Sequence, residues 1–438
     1  MHPLLELFID FAEKEGFTTN SFIVGGAVRD ILLGKELKDI DIAVKGDAID
    51  VAKRFADKIN ASFVLMDKEF AIARVVQRGK RQKTDSYFID ICMMRGNTIY
   101  DDLRKRDITI NAMAMPLASK KVCDFLGTPL SKVRSKIIDP YGGRNDLFNK
   151  IIKMVSEENL IKDPLRIIRI YRFAAALNFS IEKNTLDATK RLAPLITSVA
   201  MERIAEELRY IIRLNNSYKT MKALMDNKIL ANIFPDVRIN SLKLYKDTEE
   251  ILGNLSDSLG LSALSLQPLI KYFEIAYKKI CLKLSTLFYD PNAAKQSAIE
   301  LKMSRKEVEF IHKMVVNRSK ILNCYRKMLG ITDETEIIEL LKVFRDDVYS
   351  LIILTIAQKP STAEFCKEMI KLYENVFKPR AALLPIITGN DIMNTFNLKP
   401  SPMFKEILAA IEDLVLKGKI TSNEEALKVV KKMIDSTY

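Results

Sequence analysis

Two aspartates separated by a single residue are the most chemically informative feature of the sequence. Asp39 and Asp41 belong to the segment DIDIAV, in which acidic and apolar residues alternate. This alternation predicts a strand with both carboxylates on one face and with Ile40 and Ile42 directed into the core. Paired carboxylates offer the hard oxygen ligands that Mg²⁺ prefers. Two such ions can activate an attacking hydroxyl group and neutralise charge on a leaving pyrophosphate.

A pair of glycines and an arginine precede these aspartates along the chain. Gly25 and Gly26 fall where the predicted strand SFIVGG meets the predicted helix AVRDILLG. Small residues at such a junction let backbone N–H groups approach phosphate oxygens, and Arg29, one turn into the helix, can reach the same triphosphate. A D-x-D pair alone is weak evidence, because paired aspartates are common on edge strands. Its context favours a metal and triphosphate site.

The elements that must position these residues change character along the chain. In the first third we predict the strands SFIVGG, DIDIAV, AIARVV, YFIDICMM and KKVCDFLG and the helices AVRDILLG and AIDVAKRFADKI. From Leu147 onward the pattern is that of long helices, such as PLRIIRIYRFAAAL and MERIAEELRYIIRL. The predicted fold class is therefore α+β, with a small mixed sheet to about Asp139 and an all-helical remainder.

Composition narrows the class of protein. The chain has 438 residues, with 69 Lys and Arg against 56 Asp and Glu, so its formal charge is +13. Such a charge suits nucleic acid, and a generally basic surface is the alternative. The only histidines, His2 and His312, are too few for His-based metal or hydrolase sites and are predicted to be structural. Scattered cysteines and the lack of a membrane-length apolar run predict a soluble cytoplasmic protein.

The segment FIVGGAVRDILLGKELKDIDIAV resembles the signature of the polymerase-beta-like nucleotidyltransferase superfamily. Its G-G-x-V-R-D form is similar to that of class II tRNA nucleotidyltransferases and bacterial poly(A) polymerases. The resemblance implies nucleotidyl transfer from CTP or ATP with two Mg²⁺ ions. It also implies four modules, which are a catalytic head over residues 1–140, a helical neck over 141–215, a helical body over 216–380 and a tRNA-binding tail over 381–438.

Two further motifs extend the resemblance within the predicted head. Asp90 in YFIDICMMR stands where the family places a third metal-binding carboxylate, and a solvent-facing aspartate is the alternative. Arg106, Asp107 and Asn111 match the motif that lines the ribose and triphosphate in the family. Aspartate and asparagine supply acceptors and donors near a 2′ hydroxyl. Alternatively, Asp107 caps a helix over INAMAM.

Asp163 and Arg166 match the element that selects the nucleobase in resembling enzymes. An aspartate accepts from the exocyclic amine of C or A and an arginine donates to ring acceptors, whereas G and U would set a carbonyl against the carboxylate. Alternatively, Asp163 is the N-cap of a helix that has Pro164 at its first position. The family usually carries Glu before this aspartate, where this chain has Lys162.

The resemblance assigns three more groups of residues. A hinge-like segment between head and neck comprises Gly142, Gly143, Arg144 and Asp146. Two residues, Arg203 and Glu207, match positions that brace the helices of the neck. Basic residues of the tail are candidates for contacts with tRNA phosphates, and these are Lys399, Lys405, Lys417 and Lys419.

The length of one connection predicts the type of enzyme. Resembling CCA-adding enzymes and poly(A) polymerases have a long flexible segment after the arginine at position 95, and here only GNTIY separates Arg95 from Asp101. In this family that segment is associated with the switch to ATP. The leading hypothesis is therefore addition of CMP to the acceptor arm of tRNA at its 3′ end. The alternatives are a full CCA-adding enzyme, a poly(A) polymerase and an inactive RNA-binding homologue.

Overall fold

The structure is a computed structural model that describes residues 3–35, 37, 39–68, 71–78, 86–117, 137–234, 241–327 and 334–435. The backbone of Asp39 is described, but its side chain is not. The chain divides into two compact units, of which the first comprises residues 1–214 and 219–235 and the second residues 215–218 and 236–438. The division of the chain into head, neck, body and tail stays a prediction.

A six-stranded mixed sheet dominates the N-terminal part of the first unit. Its strands are β1 (Ser21–Val24), β2 (Asp39–Val44), β3 (Ser62–Asp67), β4 (Ile72–Arg78), β5 (Ser86–Met93) and β6 (Ala114–Pro116). Their order across the sheet is β3-β4-β5-β2-β1-β6, and β2 and β5 are parallel whereas the other neighbours are antiparallel. The predicted α+β class is confirmed, as are the predicted strands β1, β2, β4 and β5. The predicted strand KKVCDFLG lies outside the described residues.

Alternation along the central strands gives the sheet two different faces. Ile40 and Ile42 of β2 and Ile89 and Ile91 of β5 are buried in one hydrophobic core, as predicted for β2. That core also contains residues of α1 (Pro3–Lys14), α2 (Gly26–Leu32) and α3 (Ala48–Lys58). Because successive side chains point to opposite faces, Asp41 of β2 and Asp90 of β5 belong to the other face.

The remainder of the first unit is mainly helical. Its helices are α4 (Ile99–Arg104), α5 (Gly143–Phe148), α6 (Glu157–Lys162), α7 (Leu165–Leu177), α8 (Lys183–Leu192), α9 (Met201–Arg213), α10 (Ser217–Asp226), whose first two residues count with the second unit, and α11 (Ile229–Ile233). Short 3₁₀ helices span Thr18–Asn20, Thr109–Asn111 and Ala193–Ser198, and a parallel pair joins β7 (Ile151–Ile152) to β8 (Ser180–Ile181).

The described part of the second unit is helical, as predicted. Its helices are α12 (Ser241–Gly253), α13 (Leu255–Leu259), α14 (Ala263–Glu274), α15 (Lys278–Ser285), α16 (Pro291–Glu300), α17 (Arg305–Asn317), α18 (Lys320–Lys327), α19 (Glu334–Phe344), α20 (Val348–Gln358), α21 (Ala363–Leu372), α22 (Lys378–Ala381), α23 (Gly389–Phe396), α24 (Met403–Leu416) and α25 (Asn423–Asp435). A π-helical turn spans Tyr373–Phe377, and short 3₁₀ helices span Arg345–Asp347 and Pro360–Thr362. Among the helices described, none has both the length and the apolar character needed to cross a membrane.

Candidate active site

Two of the predicted metal-binding aspartates, Asp41 and Asp90, lie on the face of the sheet that is opposite the helix-packed core. The backbone pairing sets Asp41 of β2 directly beside Asp90 of the parallel strand β5, and Asp39 lies two positions before Asp41. Neighbouring strands are about 4.8 Å apart, so paired residues on one face have adjacent side chains. The central strands therefore bring Asp41 and Asp90 together.

Gly25 lies beside Asp41, at the point where β1 ends. It has φ of +68° and is the N-cap of α2. A Cβ atom at this position would lie 2.8 Å from Nη1 of Arg106 and 3.4 Å from Oδ2 of Asp41. Both the backbone angle and the crowding therefore favour glycine. The same distances show that Arg106 and Asp41, which are far apart in sequence, meet at this junction.

Only some of the backbone N–H groups at the predicted glycine pair are available to bind phosphate. The N–H group of Gly25 donates to the carbonyl of Met113 at 3.3 Å. Gly26 begins α2, and the N–H groups of a first helical turn have no acceptor within the helix. These N–H groups, starting at Gly26, are therefore the backbone donors that a triphosphate can use.

The guanidinium of Arg29 connects the first helix of the site to the predicted ribose-binding segment. Its Nε and Nη2 atoms donate to the carboxylate of Asp30 at 2.9 and 3.0 Å, and Nη1 donates to Oδ1 of Asn111 at 2.8 Å. Three of the five N–H donors of this arginine are thus used. Two predicted site residues, Arg29 and Asn111, are consequently in direct contact.

Arg106 is held in place by a carboxylate that the sequence analysis did not single out. Its Nε and Nη2 atoms lie 3.0 and 2.9 Å from Oδ2 of Asp102, one turn earlier on α4. The Asp102 side chain is only 3% exposed, and its other oxygen accepts from the N–H of Arg95 at 3.2 Å. The spacing of four residues in DDLRKRD was the signal that could have identified this pair. Asp102 therefore fixes the arginine that reaches Gly25 and Asp41.

Asp107 bonds to arginine and not to a helix end. One oxygen accepts from Nε of Arg169 at 2.9 Å, and the other accepts from the N–H of Ile108. Burial opposes the charge of Asp107, but Arg169 outweighs this effect and lowers the pKa of the carboxyl to about 2. The alternative that Asp107 caps a helix over INAMAM is wrong, because a 3₁₀ turn and the strand β6 occupy that segment.

The predicted base-selecting residues lie at the start of α7. Asp163 is bound by Arg203 of α9 at 3.2 Å, and its distance to Nε of Arg166 is 3.6 Å. That second distance exceeds hydrogen-bond range, so the donors of Arg166 are not consumed by Asp163. Burial lowers the pKa of Arg166, and the nearby carboxylates of Asp107 and Asp163 act against this effect. Arg166 therefore lies within electrostatic reach of both Asp107 and Asp163.

The N-cap alternative for Asp163 is wrong. The residue at the N-cap of α7 is Pro164, and no side chain caps that helix. The Asp163 carboxylate instead forms the ion pairs described above. Lys162, which replaces the glutamate usual in the family, bonds Glu158 at 2.7 Å in a pair that is about two-thirds exposed on both sides. Arg203 therefore makes the closest ion pair with Asp163.

Glu207 and Phe173 join the helices beside this group. Glu207 is buried on α9 and lies 2.7 Å from Nε of Arg172 and 3.3 Å from Nη1 of Arg169, both on α7. The ring of Phe173 has three guanidinium groups within 5.7 Å of its centroid, those of Arg29, Arg169 and Arg172. These contacts link α2 of the sheet region to α7 and α9. Neither Arg169 nor Phe173 could be found from local spacing.

The predicted hinge-like segment packs closely against the ribose-binding motif. A Cβ atom on Gly143 would lie 2.2 Å from the carbonyl oxygen of Thr109, so only glycine fits there. Asp146 is buried and accepts from Oγ1 of Thr109 at 2.7 Å. Asp139 accepts from the N–H groups of Gly143 and Arg144 at 2.7 and 3.0 Å. The bond between Asp146 and Thr109 holds the segment against the turn that carries Asn111, and the Asp139 bonds fix the segment itself.

The connection between β5 and α4 is a short, closed turn. Gly96 has φ of +145°, and a Cβ atom there would lie 2.5 Å from Cβ of Asp101. Thr98 is the N-cap of α4 and forms a reciprocal capping box with Asp101. The turn is thus bonded at the start of α4 and tightly packed at Gly96.

Asp41, Asp90 and their surroundings fit a divalent cation. Carboxylate oxygens are hard ligands, and the space that a side chain at Gly25 would fill lies next to Oδ2 of Asp41. Among the side chains that the structure describes, which exclude that of Asp39, no three acidic, His or Cys residues form a complete metal site. A third ligand from Asp39 is therefore part of the proposal below.

The fold and the site together define a polymerase-type RNA nucleotidyltransferase. Residues 21–153 match the family described as the poly(A) polymerase head domain. Residues 178–239 match the family described as "Probable RNA and SrmB-binding site of polymerase A", and residues 276–430 match tRNA nucleotidyltransferase domain 2. The matched ranges fall on the sheet region, the following helices and the second unit.

Relatives specify the family further. The chain is 30% identical over 414 residues to a CC-adding tRNA nucleotidyltransferase of Synechocystis sp., covering 92% of this chain and 91% of that protein. It is 25% identical over 438 residues to an A-adding tRNA nucleotidyltransferase of Halalkalibacterium halodurans, covering 95% and 89%. The chain belongs to the tRNA nucleotidyltransferase family, and it is an enzyme that adds nucleotides to tRNA 3′ ends.

Solved structures share the fold. A CCA-adding enzyme solved with ATP has a TM-score of 0.70 and 22% identity, covering 98% of this chain and 95% of that chain. The Thermotoga maritima CCA-adding enzyme, solved with tRNA, has a TM-score of 0.67 and 23% identity, covering 98% and 95%. The architecture of both units is therefore that of CCA-adding enzymes.

Proposed function

We propose that this protein adds CMP residues from CTP to the 3′ end of tRNA and does not add the terminal AMP. The observation that carries the proposal is the closed turn between β5 and α4. Gly96 packs on Asp101 and Thr98 caps α4, so the five residues GNTIY close this connection without the flexible segment that resembling ATP-using enzymes carry here. Without that segment, we expect the site to keep its preference for CTP.

The incoming nucleotide is proposed to lie across the converging arginines and amides. The first N–H groups of α2 and the unused donors of Arg29 would bind the triphosphate. Arg106, fixed by Asp102, adds a positive charge beside Asp41. Asn111, in contact with Arg29, and Asp107 would bind the ribose hydroxyls, in keeping with the motif that they match.

Asp39, Asp41 and Asp90 are proposed to hold two Mg²⁺ ions. When bound, the ions would lower the pKa of the attacking 3′ hydroxyl and neutralise the charge of the leaving pyrophosphate. The sheet sets Asp41 and Asp90 side by side on neighbouring strands, so both carboxylates lie on the same face of the sheet. On the side of β1, the positive charge of Arg106 offsets part of the negative charge of the carboxylates.

Cytosine recognition is proposed to fall to Asp163 and Arg166. The Asp163 carboxylate, oriented by Arg203, can accept from the exocyclic amine of cytosine. Arg166, which is only 12% exposed, can donate to the ring acceptors of the same base. Uracil presents a carbonyl to Asp163 and is therefore disfavoured. The tRNA partner is expected to bind by its shape and phosphates, because the substrate is tRNA in general.

A nucleotide-addition assay tests this proposal directly. Purified protein is incubated with Mg²⁺ and a tRNA that ends just before the CCA sequence, with CTP alone, ATP alone or both. We expect extension by CMP residues with CTP and no further extension when ATP is added. Efficient addition of AMP after CC would make the protein a full CCA-adding enzyme, and long A tails on generic RNA would make it a poly(A) polymerase. Binding without any incorporation would identify an inactive homologue.

A further inference from the structure

Arg74 of β4 forms the closest described contact to the proposed third metal ligand. The two strands pair so that Arg74 is directly opposite Asp90. Nε and Nη2 of Arg74 donate to Oδ1 and Oδ2 of Asp90 at 2.7 and 2.8 Å, which makes a two-point ion pair. Each Asp90 oxygen is therefore bonded by arginine on one side.

The guanidinium of Arg74 is itself fixed. Its Cζ atom lies 4.0 Å from the centroid of the Phe88 ring, within the range of a cation–π contact. Phe88 precedes Asp90 by two residues on β5, so both side chains are on the same face of the sheet. The stacked ring and the carboxylate hold Arg74 at two places, and a lysine could not reproduce both contacts.

The acidic residues thus lie between two arginines. Arg106 reaches Asp41 on the side of β1, and Arg74 binds Asp90 on the side of β4. A carboxylate has about four lone-pair positions, so the two hydrogen bonds from Arg74 leave one on each Asp90 oxygen. A cation can use these remaining positions without breaking the ion pair.

We propose that Arg74 is a positioning residue that orients Asp90 for catalysis and, through its positive charge, weakens the affinity of the site for divalent cations. This inference rests on the proposed metal role of Asp90. A weaker ion site can release its metal with the pyrophosphate after each addition. Removal of Arg74 should tighten metal binding, because a positive charge is lost, and should slow catalysis, because Asp90 is no longer oriented. These opposite changes make the proposal testable.

Three variants separate the two effects. Arg74→Gln removes the charge and the two-point bond, Arg74→Lys keeps the charge but loses the bond geometry, and Arg54→Gln is the matched control. Arg54 lies on α3 and is likewise paired with carboxylates, those of Glu15 and Asp50, but it belongs to an exposed cluster away from the aspartates. Mn²⁺ binding to the RNA-free protein is measured by electron paramagnetic resonance, and CMP incorporation is measured in parallel.

We expect Arg74→Gln to bind Mn²⁺ about 3- to 10-fold more tightly, because a nearby positive charge is gone. The same variant should incorporate CMP about 10- to 100-fold more slowly, because Asp90 is no longer held in position. Arg74→Lys should bind Mn²⁺ like the wild type and incorporate CMP slowly. Arg54→Gln should change neither quantity.

Two results would overturn the inference. One is Mn²⁺ binding that is unchanged or weaker in Arg74→Gln, since a purely structural role predicts loss of both functions together. The other is a further slowing by Arg74→Gln in an Asp90→Asn background, because an arginine that acts through Asp90 has no orienting effect once that carboxylate is removed. A wild-type protein that neither binds Mn²⁺ nor incorporates CMP would overturn the proposed function as well, which distinguishes the two failures.

Discussion

The basic side chains near the acidic face of the sheet and those of the C-terminal helices differ in their bonding partners. Arg29, Arg106 and Arg169 in the first unit each bond a carboxylate or amide at 3.0 Å or less. In the second unit Lys399 and Lys419 are exposed and have no carboxylate partner among the described residues.

This difference agrees with two proposed uses of positive charge. Transfer of a nucleotidyl group needs donors fixed to within a fraction of an ångström, so each arginine is anchored by a second residue. Attraction of a tRNA backbone needs charge near the phosphates but no fixed geometry. Removal of an anchor should therefore damage chemistry, whereas removal of a tail lysine should weaken binding alone.

The largest effect among the anchors is expected at Asp102. Asp102→Asn leaves the side-chain shape intact but removes the charge that fixes Arg106 beside Gly25 and Asp41. We expect CMP incorporation to fall about 100-fold, because a small displacement of a catalytic group has an effect of this size. Single-turnover kinetics with saturating tRNA provide the measurement. An unchanged rate would show that Arg106 needs no anchor.

A second prediction concerns stability and pH. The low pKa of Asp107, about 2, means that its ion pair with Arg169 contributes fully above the unfolded-state pKa and is lost as the pH falls towards 2. Asp107→Asn should remove about 2–3 kcal/mol of this pH-dependent stability. Urea unfolding at pH 7 measures the full difference between wild type and variant, and at pH 3, between the unfolded-state and folded-state pKa values, this difference should be about half as large.

The matched control for this prediction is Asp50→Asn. It removes a carboxylate from the exposed pair with Arg54, and exposed pairs contribute little to stability. If the Asp107 variant shows the same pH dependence of unfolding as the wild type, the account of the Asp107–Arg169 pair is wrong.

The smallest effects are expected from the tail lysines. Lys399→Gln, Lys405→Gln and Lys419→Gln should each weaken tRNA binding about 2- to 5-fold and lower its dependence on salt. Lys417→Gln is the control, because Lys417 is paired with Glu339 and Asp413 at 2.8 and 2.7 Å. Filter binding at several salt concentrations measures both quantities. Equal effects at Lys417 and at the exposed lysines would show that pairing with a carboxylate does not determine which lysines contribute to tRNA binding.

Sequence reasoning predicted the parts of the structure that depend on local residue patterns. The alternation around Asp41 gave the correct face of β2, and the glycines marked the strand-to-helix junction where φ at Gly25 is positive. The edge strand β3 was missed because SFVLMD is largely exposed and lacks the alternation of a half-buried strand.

The two helix-cap alternatives fail for a common physical reason. The sequence offers a helix cap as the alternative for both Asp107 and Asp163, since aspartate before a helical pattern often caps it. In the structure each carboxylate bonds an arginine far along the chain, Arg169 for Asp107 and Arg203 for Asp163. Long-range ion pairs leave no mark in local spacing. The same reason explains why Arg74 was not identified as the partner of Asp90.

The proposal that the acidic face of the sheet performs nucleotidyl transfer depends above all on Asp41, and the decisive variant is Asp41→Asn. Asp57→Asn, an exposed change of equal charge on α3, is the matched control. For Asp41→Asn we predict a loss of about 10³-fold or more in Mg²⁺-dependent CMP incorporation, with tRNA affinity unchanged. The control should behave like the wild type. Wild-type incorporation by Asp41→Asn would show that this carboxylate is not needed for nucleotidyl transfer.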